Sequence, residues 1–163
     1  MIKITAARTK EEFEHISMLA DKIWREHYTP IIGAKQVDYM VKNYQSATAM
    51  YAQYLEGYEY YTIHLEHVLM GYLATKKQEE SLFLSKIYID KDFRGQQFGK
   101  QAMDFVIKKA ISLNCKSVSL GVNRFNTSAI EAYKAMGFKN VGEMITDIGN
   151  GFIMDDYKMV KLI

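Results

Sequence analysis

The chain has 163 residues, 48% of them hydrophobic and 25% charged, with a formal net charge of +2. That length allows one domain with a full apolar core, and a charge so near balance excludes the broad basic field of a nucleic-acid binder. Cys115 is the only cysteine, which excludes an intrachain disulfide, and no apolar run reaches the roughly 18 residues of a membrane span.

The opening MIKITAARTKEEFE is charged early and has no apolar centre, so it does not read as a secretory leader. With a lone thiol, the expected setting is a reducing cytoplasm. MIKITAA alternates as a strand does. TKEEFEHISMLADKIWREHY reads as a helix: Thr9 and Glu12 form a capping-box pattern, and Phe13, Ile16, Ala20, Ile23 and His27 recur on one face. Pro30 is expected to end this helix or to start a turn. Residues 35–55 read as helix in two pieces, broken near Ser46.

YEYYTIHL and VLMGYLATKK read as strands around a turn at Glu66-His67, and LFLSKIYID as a third. Residues 98–113 form an amphipathic helix, and SVSLGV a buried strand. Residues 126–136 form a short helix, with Asn126 as its cap in front and Gly137 behind. Two last strands, 139–146 and Phe152–Leu162, flank the turn GNG. No repeat, linker or low-complexity tract interrupts the series. The expected architecture is a single domain, residues 1–163, of the α/β (α+β) class with a mixed central sheet and helices on both faces.

The stretch FRGQQFGK joins a strand to a helix, the arrangement that presents unpaired N–H groups and a partial positive charge to a phosphate. A P-loop needs G-x-x-x-x-G-K-[ST]. Here only three residues separate Gly95 from Gly99, and Gln101 replaces the hydroxyl. The dinucleotide pattern G-x-G-x-x-G is absent too. The pattern that fits is Arg/Gln-x-x-Gly-x-Gly/Ala after a strand, with Gln97 in the place of its first glycine. Further on, NRFNTSAIEAYKAMGF has Asn126, Ala129, Tyr133, Gly137 and Phe138 at the spacing N-x-x-A-x-x-x-Y-x-x-x-G-F.

Together these two motifs and the element order resemble the GNAT family of N-acetyltransferases, over most of the chain. The resemblance implies a mostly antiparallel sheet and acetyl-CoA as co-substrate. The pyrophosphate would lie on Arg94, Gly95, Gln96, Gln97, Phe98, Gly99 and Lys100. The pantetheine arm would run along the strand edge at Ile87, Tyr88 and Ile89, where that strand splays from SVSLGV. Gln97 is expected to have near-helical backbone, and Gly99 to be the glycine that close approach requires. Asn126 either holds the cofactor or only caps its helix.

Acetyl transfer to an amine needs a proton for the departing thiolate. Tyr133 matches the family's general acid, and packing between helix and sheet is its other reading. Many relatives place a carboxylate base on the strand before the loop, where this chain has Leu84, Ser85 and Lys86. Glu26, His27, Tyr28 and Ser85 are the candidates for the acceptor side. Eight of the twelve tyrosines lie between Tyr28 and Tyr61, either as a wall for the substrate or as the boundary between core and water. Scattered histidines and one cysteine give no metal pattern.

The expected activity is acetyl transfer to a primary amine, on a small molecule or a peptide, by direct attack in a ternary complex. A polyamine acetyltransferase, an acyl-CoA sensor without efficient chemistry and a bare interaction scaffold are the alternatives. No nucleic acid, membrane or metal is expected as a partner, and the chain is expected as a monomer or homodimer.

Overall fold

The structure, a computed structural model, describes residues Met1–Ile163. Its elements run β1 (Ile2–Ala7), α1 (Lys10–Ile32), α2 (Ala34–Tyr44), α3 (Ala47–Leu55), β2 (Glu59–Leu65), β3 (Val68–Gln78) and β4 (Ser81–Ile89). A short 3-10 turn (Lys91–Phe93) follows, then α4 (Phe98–Ser112), β5 (Ser117–Asn123), α5 (Thr127–Ala135), β6 (Lys139–Gly149) and β7 (Phe152–Leu162). The strands form one sheet in the order β1-β2-β3-β4-β5-β7-β6. Every other recorded pairing is antiparallel, and β4 with β5 is parallel. This is the mixed, mostly antiparallel sheet that the sequence implies. No helix is long and apolar enough to cross a membrane.

By compactness the chain divides into two units, residues 1–76 with 86–102 and residues 77–85 with 103–163. The division falls within β3, β4 and α4 rather than in a linker.

In the first unit, Thr9 and Glu12 make the expected capping box. The Glu12 N–H donates to Thr9 Oγ1 at 3.2 Å, and Glu12 Oε1 accepts from the Thr9 N–H at 3.0 Å. Phe13, Ile16, Ala20 and Ile23 are buried along one face of α1. Phe13, Ile16 and Ile23 each contribute about 1.5–3 kcal/mol by leaving water, and Ala20 less. The Phe13 ring meets Tyr51, Tyr54 and Tyr60 at 5.8, 5.6 and 5.3 Å between centroids. These three tyrosines therefore close a core, with their polar tips toward partners or water.

Pro30 does not end α1, contrary to expectation. The helix continues two residues past it, since a proline so near the end disturbs few bonds, and stops at Gly33. Gly33 has φ 88°, and its N–H donates to the Thr29 carbonyl at 3.0 Å.

In the second unit, Val118, Leu120 and Val122 of β5 are buried, as are Met103, Val106 and Ala110 of α4. Asn114, with φ 58°, turns the chain out of α4, and the buried Cys115 donates its N–H to Ala110 at 2.9 Å. β6 and β7 meet at Gly149-Asn150-Gly151, where Asn150 and Gly151 have φ 54° and 79°. Two successive positive φ angles are what a tight two-residue hairpin needs.

Candidate active site

In the first unit the site begins where β4 ends. The Asp90 N–H donates to the Met70 carbonyl at 2.7 Å, which ties the end of β4 to β3. Gly71 makes that approach possible: a Cβ there would stand 2.5 Å from the Tyr88 carbonyl oxygen. Asp90 is 6% exposed; its side chain accepts from the Asp92 N–H at 3.2 Å and from Lys22 Nζ at 3.0 and 2.8 Å. Burial alone would raise this carboxyl. The bonds from Lys22 and Asp92 and the charges of Lys22 and Arg94 outweigh it and hold Asp90 below the usual carboxylate range.

Beyond the 3-10 turn, Arg94 Nε donates back to the Ile89 carbonyl at 3.1 Å, so its guanidinium lies at the strand end. Gly95 and Gln97 both adopt left-handed backbone, with φ 79° and 63°. The first bond of α4 runs from the Gln101 N–H to the Gln97 carbonyl at 3.1 Å. The amides of Phe98, Gly99 and Lys100 therefore precede the helical ladder and point out of its N-terminus. Gly95, Gln96, Gln97 and Lys100 are exposed, and Phe98 and Gly99 are half-buried.

This corrects the expectation for Gln97. Its backbone is not near-helical but occupies the conformation that favours glycine, and Gly99 is not at positive φ. A Cβ on Gly99 would meet no protein atom within 4 Å. The motif's first glycine answers a backbone need that Gln97 meets under strain.

Tyr88 is half-buried in an aromatic cluster with Trp24, Tyr28 and Tyr72, at 5.8, 6.3 and 5.3 Å between centroids. Tyr28 stacks on Trp24 at 4.3 Å and meets His27 edge-on at 4.8 Å. The end of α1 is thus brought to the end of β4 within this unit. Glu26 is exposed and lies 3.9 Å from Lys91 Nζ. Ile87 and Ile89 are half-buried on β4.

Lys86 is the residue whose setting the sequence conceals. It is 6% exposed, with Nζ 2.9 Å from the Tyr44 carbonyl, 2.9 Å from Gln53 Oε1, and in contact with the Tyr60 hydroxyl. Tyr60 donates its own proton to Gln53 at 2.5 Å. Three acceptors match the three protons of an ammonium, yet burial pushes the amine down to about 7.

In the second unit, β4 and β5 pair from Ser81↔Ser117 to Leu84↔Leu120, and the recorded ladder ends there. Ser85 is half-buried just past that point. Beyond it Gly121, Val122 and Asn123 pair only on their other side, with Lys158, Tyr157 and Asp156 of β7. Arg124 follows, fixed by Asp155 Oδ1 at 2.7 Å and Glu143 Oε1 at 2.9 Å.

Asn126 is 5% exposed and makes no side-chain cap bond to α5, which corrects the expected cap. Its ψ of 69° takes the side chain away from the helix amides, and its Oδ1 accepts from Ser128 Oγ at 3.4 Å. Tyr133 is half-buried, with its ring 5.8 Å from that of Phe138. The Phe138 N–H donates to the Tyr133 carbonyl at 3.0 Å past Gly137, whose φ is 94°.

Residues 17–138 match the model of the Acetyltransferase (GNAT) family. Over 63 residues the chain is 30% identical to a thialysine N-epsilon-acetyltransferase of Bos taurus, a stretch covering 39% of this chain and 37% of that protein. Over 70 residues it is 34% identical to the peptidyl-lysine N-acetyltransferase YjaB of Salmonella typhimurium, covering 42% of this chain and 45% of that one. The chain thus matches less than half the length of either relative. In fold it is similar to the PaiA N-acetyltransferase of Thermoplasma acidophilum, solved in complex with coenzyme A. The TM-score is 0.84 at 17% identity, over 100% of this chain and 99% of that one.

Proposed function

Because the chain belongs to the GNAT acetyltransferase family, we propose that it moves the acetyl group of acetyl-CoA to a primary amine by direct attack in a ternary complex. One observation carries the reading: the paired left-handed turns at Gly95 and Gln97, which aim the first amides of α4 out of the loop after β4. Backbone N–H groups so arranged suit a pyrophosphate.

In this proposal Arg94 and Lys100 add charge beside those amides. The β4 edge at Ile87, Tyr88 and Ile89 takes the pantetheine arm, and Asn126 contacts the cofactor. Tyr133 gives its phenolic proton to the departing thiolate. Glu26, His27, Tyr28 and Ser85 border the acceptor. Both similar relatives are named for acetylating an amine at the end of an alkyl chain, and we assign the same class of acceptor here. A cytoplasmic setting belongs to the proposal and agrees with the single reduced thiol of Cys115.

The test is release of CoA thiol from acetyl-CoA in the presence of thialysine, a lysine-containing peptide or spermidine, with the product identified by its added acetyl mass. Turnover with one of these alkylamines is expected. Tight acetyl-CoA binding without turnover on any amine would favour the sensor reading instead.

A further inference from the structure

The second unit holds a carboxylate that none of the roles above uses. Asp156 stands in β7, paired with Asn123 of β5 on one side and Met144 of β6 on the other. It is only 5% exposed, and no hydrogen bond or ion pair engages its carboxylate. Buried carboxylates ordinarily find a donor or a cation within the protein.

The surroundings explain how it stays apart. Asp156 Oδ2 lies 3.3 Å, and Met144 Cε 2.5 Å, from the point where a Cβ on Gly121 would stand. A side chain at position 121 would displace both, so glycine leaves that space to them. The cation of this region, Arg124, is taken up by Asp155 and Glu143. Strand alternation places Asp155 on the opposite face of β7 and the exposed Lys158 on the same face. Gly121 and Asn123 belong to the part of β5 that lies beyond the recorded β4 ladder. The carboxylate thus stands beside the end of β5, which leads within this unit through Arg124 and Asn126 to α5 and Tyr133.

We propose that Asp156 receives the proton of the acceptor amine, the task that many relatives give to a carboxylate on the strand before the loop. The inference rests on the acetyl-transfer reading. The amine arrives as an ammonium, the counter-charge that this carboxylate lacks, and passes one proton to Asp156. The freed nitrogen lone pair forms a bond to the thioester carbonyl carbon, and the carbon–sulfur bond breaks. The thiolate takes a proton from Tyr133. The new amide then sheds its extra proton, which restores the phenol through solvent, and Asp156 returns its own proton to water. Burial first, and the neighbouring Asp155 second, push the Asp156 carboxyl up to about 6, within the range where a base serves near neutral pH.

The experiment uses two small acceptors with acetyl-CoA near neutral pH, each corrected for its uncatalysed rate. Ethylamine is protonated there and needs a base, whereas hydroxylamine is already neutral. In Asp156→Asn, kcat/KM with ethylamine should fall roughly 100-fold or more, and with hydroxylamine less than about threefold. Equal losses with both amines, or none with either, overturn the assignment. Wild-type protein inert toward both would instead overturn the acetyl-transfer reading beneath it. Retained acetyl-CoA binding reports an intact fold; if the asparagine variant loses it, Asp156→Ser is read by the same ratio.

Discussion

Lys22, midway along α1, donates to both carboxylate oxygens of Asp90, at 3.0 and 2.8 Å, and so fastens the first long helix to the start of the loop. Asp90 in turn accepts from the Asp92 N–H and shapes the 3-10 turn before Arg94. Of the ion pairs that join helix and loop, which include Lys22 with Asp92 at 3.3 Å and Glu26 with Lys91 at 3.9 Å, this one alone is buried on its aspartate side.

Breaking it should loosen the loop. Lys22→Met is expected to lower Tm and to weaken acetyl-CoA binding. Because the Asp90 pKa is depressed, its stabilisation is complete above the unfolded value of 3.8 and is lost as pH falls through the lower folded value. The Tm gap between wild type and variant should hold constant from pH 5 to 8 and close below about pH 4. A gap that persists in acid would mean that the pair is not its source.

Gln97 holds φ 63° without the freedom of glycine. Left-handed backbone costs an ordinary residue roughly 1–2 kcal/mol, part of which a glycine returns through its more flexible unfolded state. Gln97→Gly should therefore stabilise the protein by about 0.5–1 kcal/mol in a urea melt, and Gly95→Ala should destabilise it by about 1 kcal/mol. Destabilisation by Gln97→Gly would contradict the backbone assigned to this loop.

Lys86 predicts a pH trend of the same sign as Asp90, in a higher window. Its folded pKa, about 7, lies below the ordinary lysine value of 10.5, so the unfolded chain binds more protons between those values. Stability from this site rises with pH across that window, by at most about 1.4 kcal/mol per unit. Lys86→Met should accordingly gain most on wild type at pH 6, and the gain should shrink by pH 9. The hydrogen bonds lost with the amine cost the same at every pH. A pH-independent difference would show that Lys86 is not desolvated in solution.

The order of the elements was legible because each has a local cause: the Thr9–Glu12 box, the spacing of Phe13, Ile16, Ala20 and Ile23, and the Asn150-Gly151 turn. Both motifs were legible for the same reason. What escaped depends on partners distant in sequence. Nothing near Lys86 reveals that Tyr44, Gln53 and Tyr60 enclose it. MDDYK shows two aspartates, but only the pairing of β5, β7 and β6 buries Asp156 and leaves Asp155 with Arg124. Gln97 departs from expectation because the backbone, not the side chain, decides that position, and Asn126 is no side-chain cap because residue type alone does not fix ψ.

Tyr133→Phe keeps the ring that packs near Phe138 and removes only the hydroxyl. If that hydroxyl protonates the thiolate, kcat should fall roughly 10²–10⁴-fold while acetyl-CoA affinity, measured by calorimetry, stays within about twofold. An unchanged kcat at saturating substrates would leave Tyr133 a packing residue.

The most direct test of the whole account is stoichiometry in a single reaction. Protein, acetyl-CoA and one alkylamine are incubated together, and free CoA thiol and acetylated amine are both quantified by mass spectrometry. Direct transfer predicts one acetylated amine per thiol released, with no acetylated protein intermediate. Thiol released without acetylated amine, or no thiol released with any amine despite bound acetyl-CoA, would contradict it.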